Sequence, residues 1–133
     1  MSAVFAQVNL KVKQPRISLV IDDSEPVRTA VANILRAAGH HVLEAATSEN
    51  ALAIVASEPI SLAVCDLNLN ERTSGAALLS QAVRLRPGLK CVLMSGSIPP
   101  EQKQRTLFPA LSKPFAPGDL IDLVERLLRD SSA

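Results

Sequence analysis

Tryptophan and tyrosine are absent, and phenylalanine occurs only at positions 5, 108 and 115. So thin an aromatic set argues against a base-stacking surface for RNA or single strands. Cysteine is scarce as well. Cys65 and Cys91 each fall within apolar, strand-like runs. A disulfide framework or a thiolate metal site needs more cysteines at closer spacing, so both read as buried thiols. An excess of one charge is also lacking. Lys+Arg number 14 and Asp+Glu 13, a net charge of +1. That balance gives no electrostatic case for nucleic acid, an anionic membrane or a polyacidic substrate. Unbroken apolar runs are short, Leu19-Val20-Ile21 being typical, so nothing reads as a bilayer span. The N-terminus has no charged stretch followed by an apolar one, so a cytoplasmic location is expected rather than secretion. What the 133 residues do have is 47% hydrophobic and 20% charged content. That is enough apolar side chain to bury the core of one domain.

Residues 1–15 read as an N-terminal tail, in which Val8, Leu10 and Val12 alternate like a short strand. The regular pattern runs from residue 16 to 130, with a C-terminal tail at 131–133. Strand-like runs are Ile17–Ile21, His41–Ala45, Ile60–Cys65, Leu89–Met94 and Leu107–Leu111. Between them lie helical spacings. Val27, Val31, Ile34 and Leu35 follow Ser24 and Pro26 and stop at Gly39. Leu52 and Val55 follow Thr47, a candidate cap; Leu78, Leu79 and Val83 precede Pro87-Gly88. Pro99–Thr106 is short and polar, a weak helix. Leu120, Val124, Leu127 and Leu128 form one face of a last helix that starts at Pro117. Alternating strands and helices imply a doubly wound α/β domain with a five-stranded parallel sheet. Strands one, three and four are almost wholly apolar, as central strands are. Pro109 puts strand five on an edge, and His41 and Glu44 suit strand two to the other. The order is therefore 2-1-3-4-5, with its switch point between strands one and three.

Four strands end in residues that carry chemistry: Asp22 and Asp23, Asp66, Ser95, and Lys113. In an open parallel sheet these ends converge at one rim, where ligands bind. Three carboxylates crowded there repel, and one takes up a proton unless a cation compensates. All-oxygen ligands favour Mg²⁺ or Mn²⁺ over zinc. Taken singly, each residue has a plainer reading. An Asp after a strand is most often a helix cap, a Ser or Asn a turn residue, a Lys a solvated charge. That all these residues meet at one rim by chance is improbable. His40 and His41 stand at the opposite rim and read as structural or exposed. Glu44, on strand two, is placed away from the acids of the rim.

The motifs Val20-Ile-Asp-Asp23, Val64-Cys-Asp66-Leu-Asn68-Leu, Gly75-Ala-Ala-Leu-Leu79, Leu93-Met-Ser95-Gly and Leu111-Ser-Lys113-Pro114-Phe115 follow one another in the order of a known family. From Arg16 to about Arg129 the chain resembles the receiver domain of two-component response regulators. The resemblance implies a flavodoxin-like three-layer sandwich. It implies that Asp66 accepts a phosphoryl group from the histidine of a sensor kinase or a phosphotransfer protein, and that the domain catalyses its own phosphorylation and dephosphorylation. It implies Mg²⁺ (or Mn²⁺) held by Asp23, Asp66 and the Asn68 backbone carbonyl, with Asp22 assisting through water. Ser95 would meet the phosphoryl oxygens and Lys113 would pair with them; Lys113–Pro114 is cis in relatives. A downstream protein would bind the face made by segment 99–106, the fifth strand and the last helix. Homodimer formation is left open, and no DNA binding by this chain is expected. Three positions depart from the family. Ala110 stands where an aromatic residue is usual, three before Lys113, and Asn70 stands where a proline is usual. The loop before Gly75 looks a residue longer. Without the ring at 110, the signal is expected to pass through the loop after Ser95. A second reading is a pseudo-receiver that binds partners without phosphorylation; the intact Asp, Ser and Lys set argues against it. A nucleotide or flavin binder would need Gly, Ser or Thr in place of Asp22-Asp23 to cradle phosphate. In a haloacid-dehalogenase-like phosphatase the acidic pair would come late, not first. The chain reads either as a stand-alone receiver or as a receiver cut from a longer protein such as a hybrid kinase.

Overall fold

The computed structural model describes residues 16–96 and 108–130. The expected strand at 8–12, the weak helix at 99–106 and the two tails lie outside those residues. The described elements are β1 (Ile17–Ile21), α1 (Glu25–Ala37), β2 (His41–Ala45), α2 (Ser48–Ser57), β3 (Leu62–Asp66), α3 (Gly75–Leu85), β4 (Lys90–Ser95), β5 (Ala110–Ser112) and α4 (Pro117–Asp130). All strands pair in parallel, in the order β2-β1-β3-β4-β5. The sheet is thus the one expected from the sequence.

The period-two pleat divides the core between two faces. Leu19, Ile21, Ala63, Cys65, Cys91 and Leu93 point to one side and pack on Ala51 and Val55 of α2 and Leu78, Leu79 and Ala82 of α3. Val20, Leu62, Val64, Val92 and Met94 point to the other and pack on Val31, Ala32 and Leu35 of α1 and Leu120, Val124 and Leu128 of α4. The result is three layers. Both cysteines are free and buried, and burial pushes both thiols up, so neither is a reactive thiolate.

The element ends follow local chemistry. Thr47 caps α2, its hydroxyl accepting from Asn50 N–H at 3.1 Å, and Ser74 caps α3 in the same way through Ala77 N–H. Ser24 precedes α1, but its side chain makes no capping bond. Its N–H instead donates to Asp22 Oδ1 at 2.9 Å. Past the end of α1, Gly39 takes φ +98°, a left-handed turn that glycine adopts without penalty. Of the expected strand at 107–111, Leu107 lies outside the described residues, and regular strand structure covers Ala110–Ser112 rather than Phe108 and Pro109. Pro109 has no N–H, so regular pairing starts at Ala110, although the Pro109 carbonyl still accepts from Leu93 N–H at 2.8 Å.

Candidate functional site

The carboxyl ends of β1, β3, β4 and β5 place the expected residues on one rim. Asp22 and Asp23 follow β1, Asp66 closes β3, Ser95 closes β4, and Lys113 follows β5. One carboxylate oxygen from each of Asp22, Asp23 and Asp66 lies within 4.8 Å of the others. Asp22 is buried, Asp66 half-buried and Asp23 exposed. Lys113 Nζ reaches between two of them, 3.4 Å from Asp22 Oδ2 and 3.7 Å from Asp66 Oδ1. Burial raises the Asp66 carboxyl above its ordinary value. Lys113 and a hydrogen bond from Asn68 N–H oppose that shift, and the neighbouring Asp22 and Asp23 add to it.

Ser95 is fully buried, one residue beyond the register partner of Asp66. Its carbonyl accepts from Lys113 N–H at 2.6 Å, which ties the end of β4 to the residue that carries the ammonium. The Lys113–Pro114 bond is cis. The backbone after Asp66 is held just as closely. Leu67 N–H donates to Met94 O at 2.7 Å, and Gly75 N–H to Leu67 O at 2.8 Å. A Cβ at Gly75 would collide with the backbone carbonyl of Asp66, so only glycine lets α3 start this close to Asp66. Asn68 is exposed at the mouth of the loop.

Two supports of the site have no sequence signal. Glu71 in the loop after β3 accepts from both Ser48 Oγ (2.6 Å) and Ser48 N–H (3.0 Å) at the start of α2. Arg28 of α1 donates through Nη1 to the Asp22 carbonyl at 2.9 Å and through Nε to Glu44 Oε1 at 3.1 Å. Glu44 is thus connected to the rim through Arg28, which reaches the Asp22 backbone carbonyl. The histidines sit away from the rim. His40 is buried, with Nδ1 2.7 Å from Ser18 Oγ, and His41 is exposed.

The family model of the response regulator receiver domain matches residues 18–125. The chain belongs to this family. As a receiver domain it is similar to a CheY-like receiver domain protein of Methanospirillum hungatei JF-1, with a TM-score of 0.81 and 28% identity over 90% of this chain and 98% of that one. It is also similar to NtrX of Brucella abortus, with a TM-score of 0.80 and 31% identity over 90% of this chain and 28% of that one. Among curated sequences, the DNA-binding transcriptional regulator NtrC of Azospirillum brasilense is 27% identical over 118 residues, 86% of this chain and 24% of that protein. The receiver spans about a quarter of the length of the curated relatives it matches, 24% in each case. The fold and the family place it in a two-component system. Among the described residues, no helix is long and apolar enough to cross a membrane.

Proposed function

We propose that the domain is a phosphoacceptor whose nucleophile is Asp66. The observation that carries this reading is the placement of the Lys113 ammonium 3.4 Å from Asp22 and 3.7 Å from Asp66, beside three carboxylates that share one rim. A nucleophilic carboxylate with a cation beside it suits phosphoryl transfer, which asks mainly for positioning and charge neutralisation. An Asp66 oxygen forms the new O–P bond as the P–N bond to a donor histidine breaks. The bonding electrons stay on that imidazole nitrogen, which takes up a proton. Lys113 is near enough to pair with the incoming phosphoryl oxygens, and the Ser95 hydroxyl is the donor carried by the neighbouring strand end.

The donor set fits a divalent cation. All-oxygen ligands, one buried and two reachable from solvent, suit Mg²⁺ or Mn²⁺. Asp23, Asp66 and the Asn68 carbonyl would hold it, with Asp22 behind them. When bound, it neutralises charge on the phosphoryl oxygens and relieves the repulsion among the carboxylates. The donor is a sensor histidine kinase or a histidine phosphotransfer protein. The downstream partner is a protein that meets the face of β5, α4 and segment 99–106. The receiver unit is residues 16–130, in the cytoplasm, with no DNA contact of its own.

A phosphoryl mimic tests the site. With beryllofluoride and Mg²⁺ together, amide NMR shifts are expected at Asp66–Asn68, Ser95 and Lys113. No response to beryllofluoride, or a response that does not need Mg²⁺, would contradict the reading.

A further inference from the structure

The geometry points to Arg28, braced by Glu44, as the positioning residue that sets the orientation of the Asp22–Asp23 acid pair for a divalent cation. The inference rests on the reading of the rim acids as a cation site. The Asp22 carbonyl and the Asp23 N–H belong to one planar peptide unit. Holding that carbonyl therefore orients the backbone from which both carboxylates project, while Ser24 N–H and Lys113 hold the Asp22 carboxylate itself. Arg28 Nη1 holds it at 2.9 Å. The Asp22 N–H is itself bound to Ala45 O at 3.1 Å, so the residue is pinned on both sides of its Cα.

Arg28 can act as a strut because its other end is fixed. Its Nε donates to Glu44 Oε1 at 3.1 Å, with side-chain exposures of only 15% and 24% for the pair. The second Glu44 oxygen accepts from Arg36 Nη2 at 3.1 Å, and that nitrogen also donates to Val42 O. Two arginines on α1 thus clamp one carboxylate on edge strand β2. Only one of them extends to the rim. The guanidinium fork holds these two acceptors in a fixed planar geometry, whereas a lysine ammonium is a compact point donor on a flexible stem. Glu44 is shared by Arg28 and Arg36, so what distinguishes Arg28 at the rim is its hydrogen bond to the Asp22 carbonyl rather than its charge.

Arg36 provides the control. Arg28 and Arg36 share Glu44, and both join α1 to β2, so a purely structural role would be common to the two. The test is an amide NMR titration with MgCl₂ alone at fixed ionic strength, on the full chain and on R28M, R28K, R36M and D23N, with a melting temperature for each. R28M keeps the aliphatic stem and loses every donor. Its Kd for Mg²⁺ is expected to rise about tenfold, within the range of about 10–100-fold seen when a residue that orients metal ligands is lost. R28K is expected to fall between R28M and the parent. R36M is expected to melt lower yet keep the parent Kd. Equal Kd values for R28M and R36M would overturn the inference. If R28M does not fold, R28K against R36M carries the same comparison: weaker binding in R28K supports the strut, and equal binding overturns it. Saturable binding that D23N abolishes and R28M leaves untouched sinks the strut alone. Absence of saturable binding in the parent chain sinks the cation reading with it.

Discussion

At the scale of single residues, burial of His40 makes its protonation a matter of stability. The ring lies between Ser18 of β1 and Glu125 of α4, with Nε2 3.8 Å from Glu125 Oε1, and Arg16 binds the other Glu125 oxygen at 3.1 Å. Burial lowers the His40 pKa below its ordinary value. Glu125 pulls the other way and Arg16 reinforces the lowering, so the neutral ring is favoured in the folded chain. The unfolded chain takes up a proton near pH ~6.5, the folded chain only lower. The contribution of neutral His40 is therefore present above that pH and lost as pH falls through it toward the folded value. Melting temperatures at pH 7.5 and 5.5 are expected to drop more for the parent than for His40→Gln. An equal drop in both would show that His40 is not the group responsible. Sequence placed His40 correctly at the rim far from the acids, because it follows Gly39 and precedes a strand. The sequence did not show its partners, since Ser18 and Glu125 are distant along the chain. The same holds for Arg28, whose partners Asp22 and Glu44 lie outside its helix.

At the scale of elements, the junction of β3 with α3 leaves no room for a side chain at position 75. Gly75 N–H binds Leu67 O, and the Asp66 carbonyl occupies the space where a Cβ would stand. Gly75→Ala therefore has to move backbone rather than a side-chain tip. The expected cost is about 1–3 kcal/mol, the range for overpacking. A urea melt reads the loss, with amide shifts centred on 66–68. An unchanged stability would mean that the junction has room to adjust. This element was legible as a motif, but the collision that demands glycine is a three-dimensional fact. Strand ends were legible where apolar runs stop at charged residues, as β1 does at Asp22 and β3 at Asp66. The start of β5 differs from the expectation because Phe108 has a strand-like side chain, whereas pairing depends on backbone N–H groups and Pro109 has none. The Glu71–Ser48 clasp was not legible either, because its partners lie on different elements.

At the scale of the whole molecule, parallel topology makes the site readable from sequence. Parallel pairing brings all strand ends of one polarity to one rim, so residues far apart in sequence meet there without further information. Balanced charge leaves that acidic rim as a local feature rather than part of a single-signed surface. Among the described residues, two helices pack on each face of the sheet, and Lys113 joins the last strand to the first and third through its contacts with Asp22 and Asp66. On the proposed reading, this arrangement makes Asp66 the phosphoacceptor. Incubation with acetyl phosphate and Mg²⁺, read by intact mass, tests it most directly. One added phosphoryl group is expected on the parent chain, lost to hydroxylamine as an acyl phosphate is, and none on Asp66→Ala. A phosphoryl group on Asp66→Ala, or none on the parent, would contradict it.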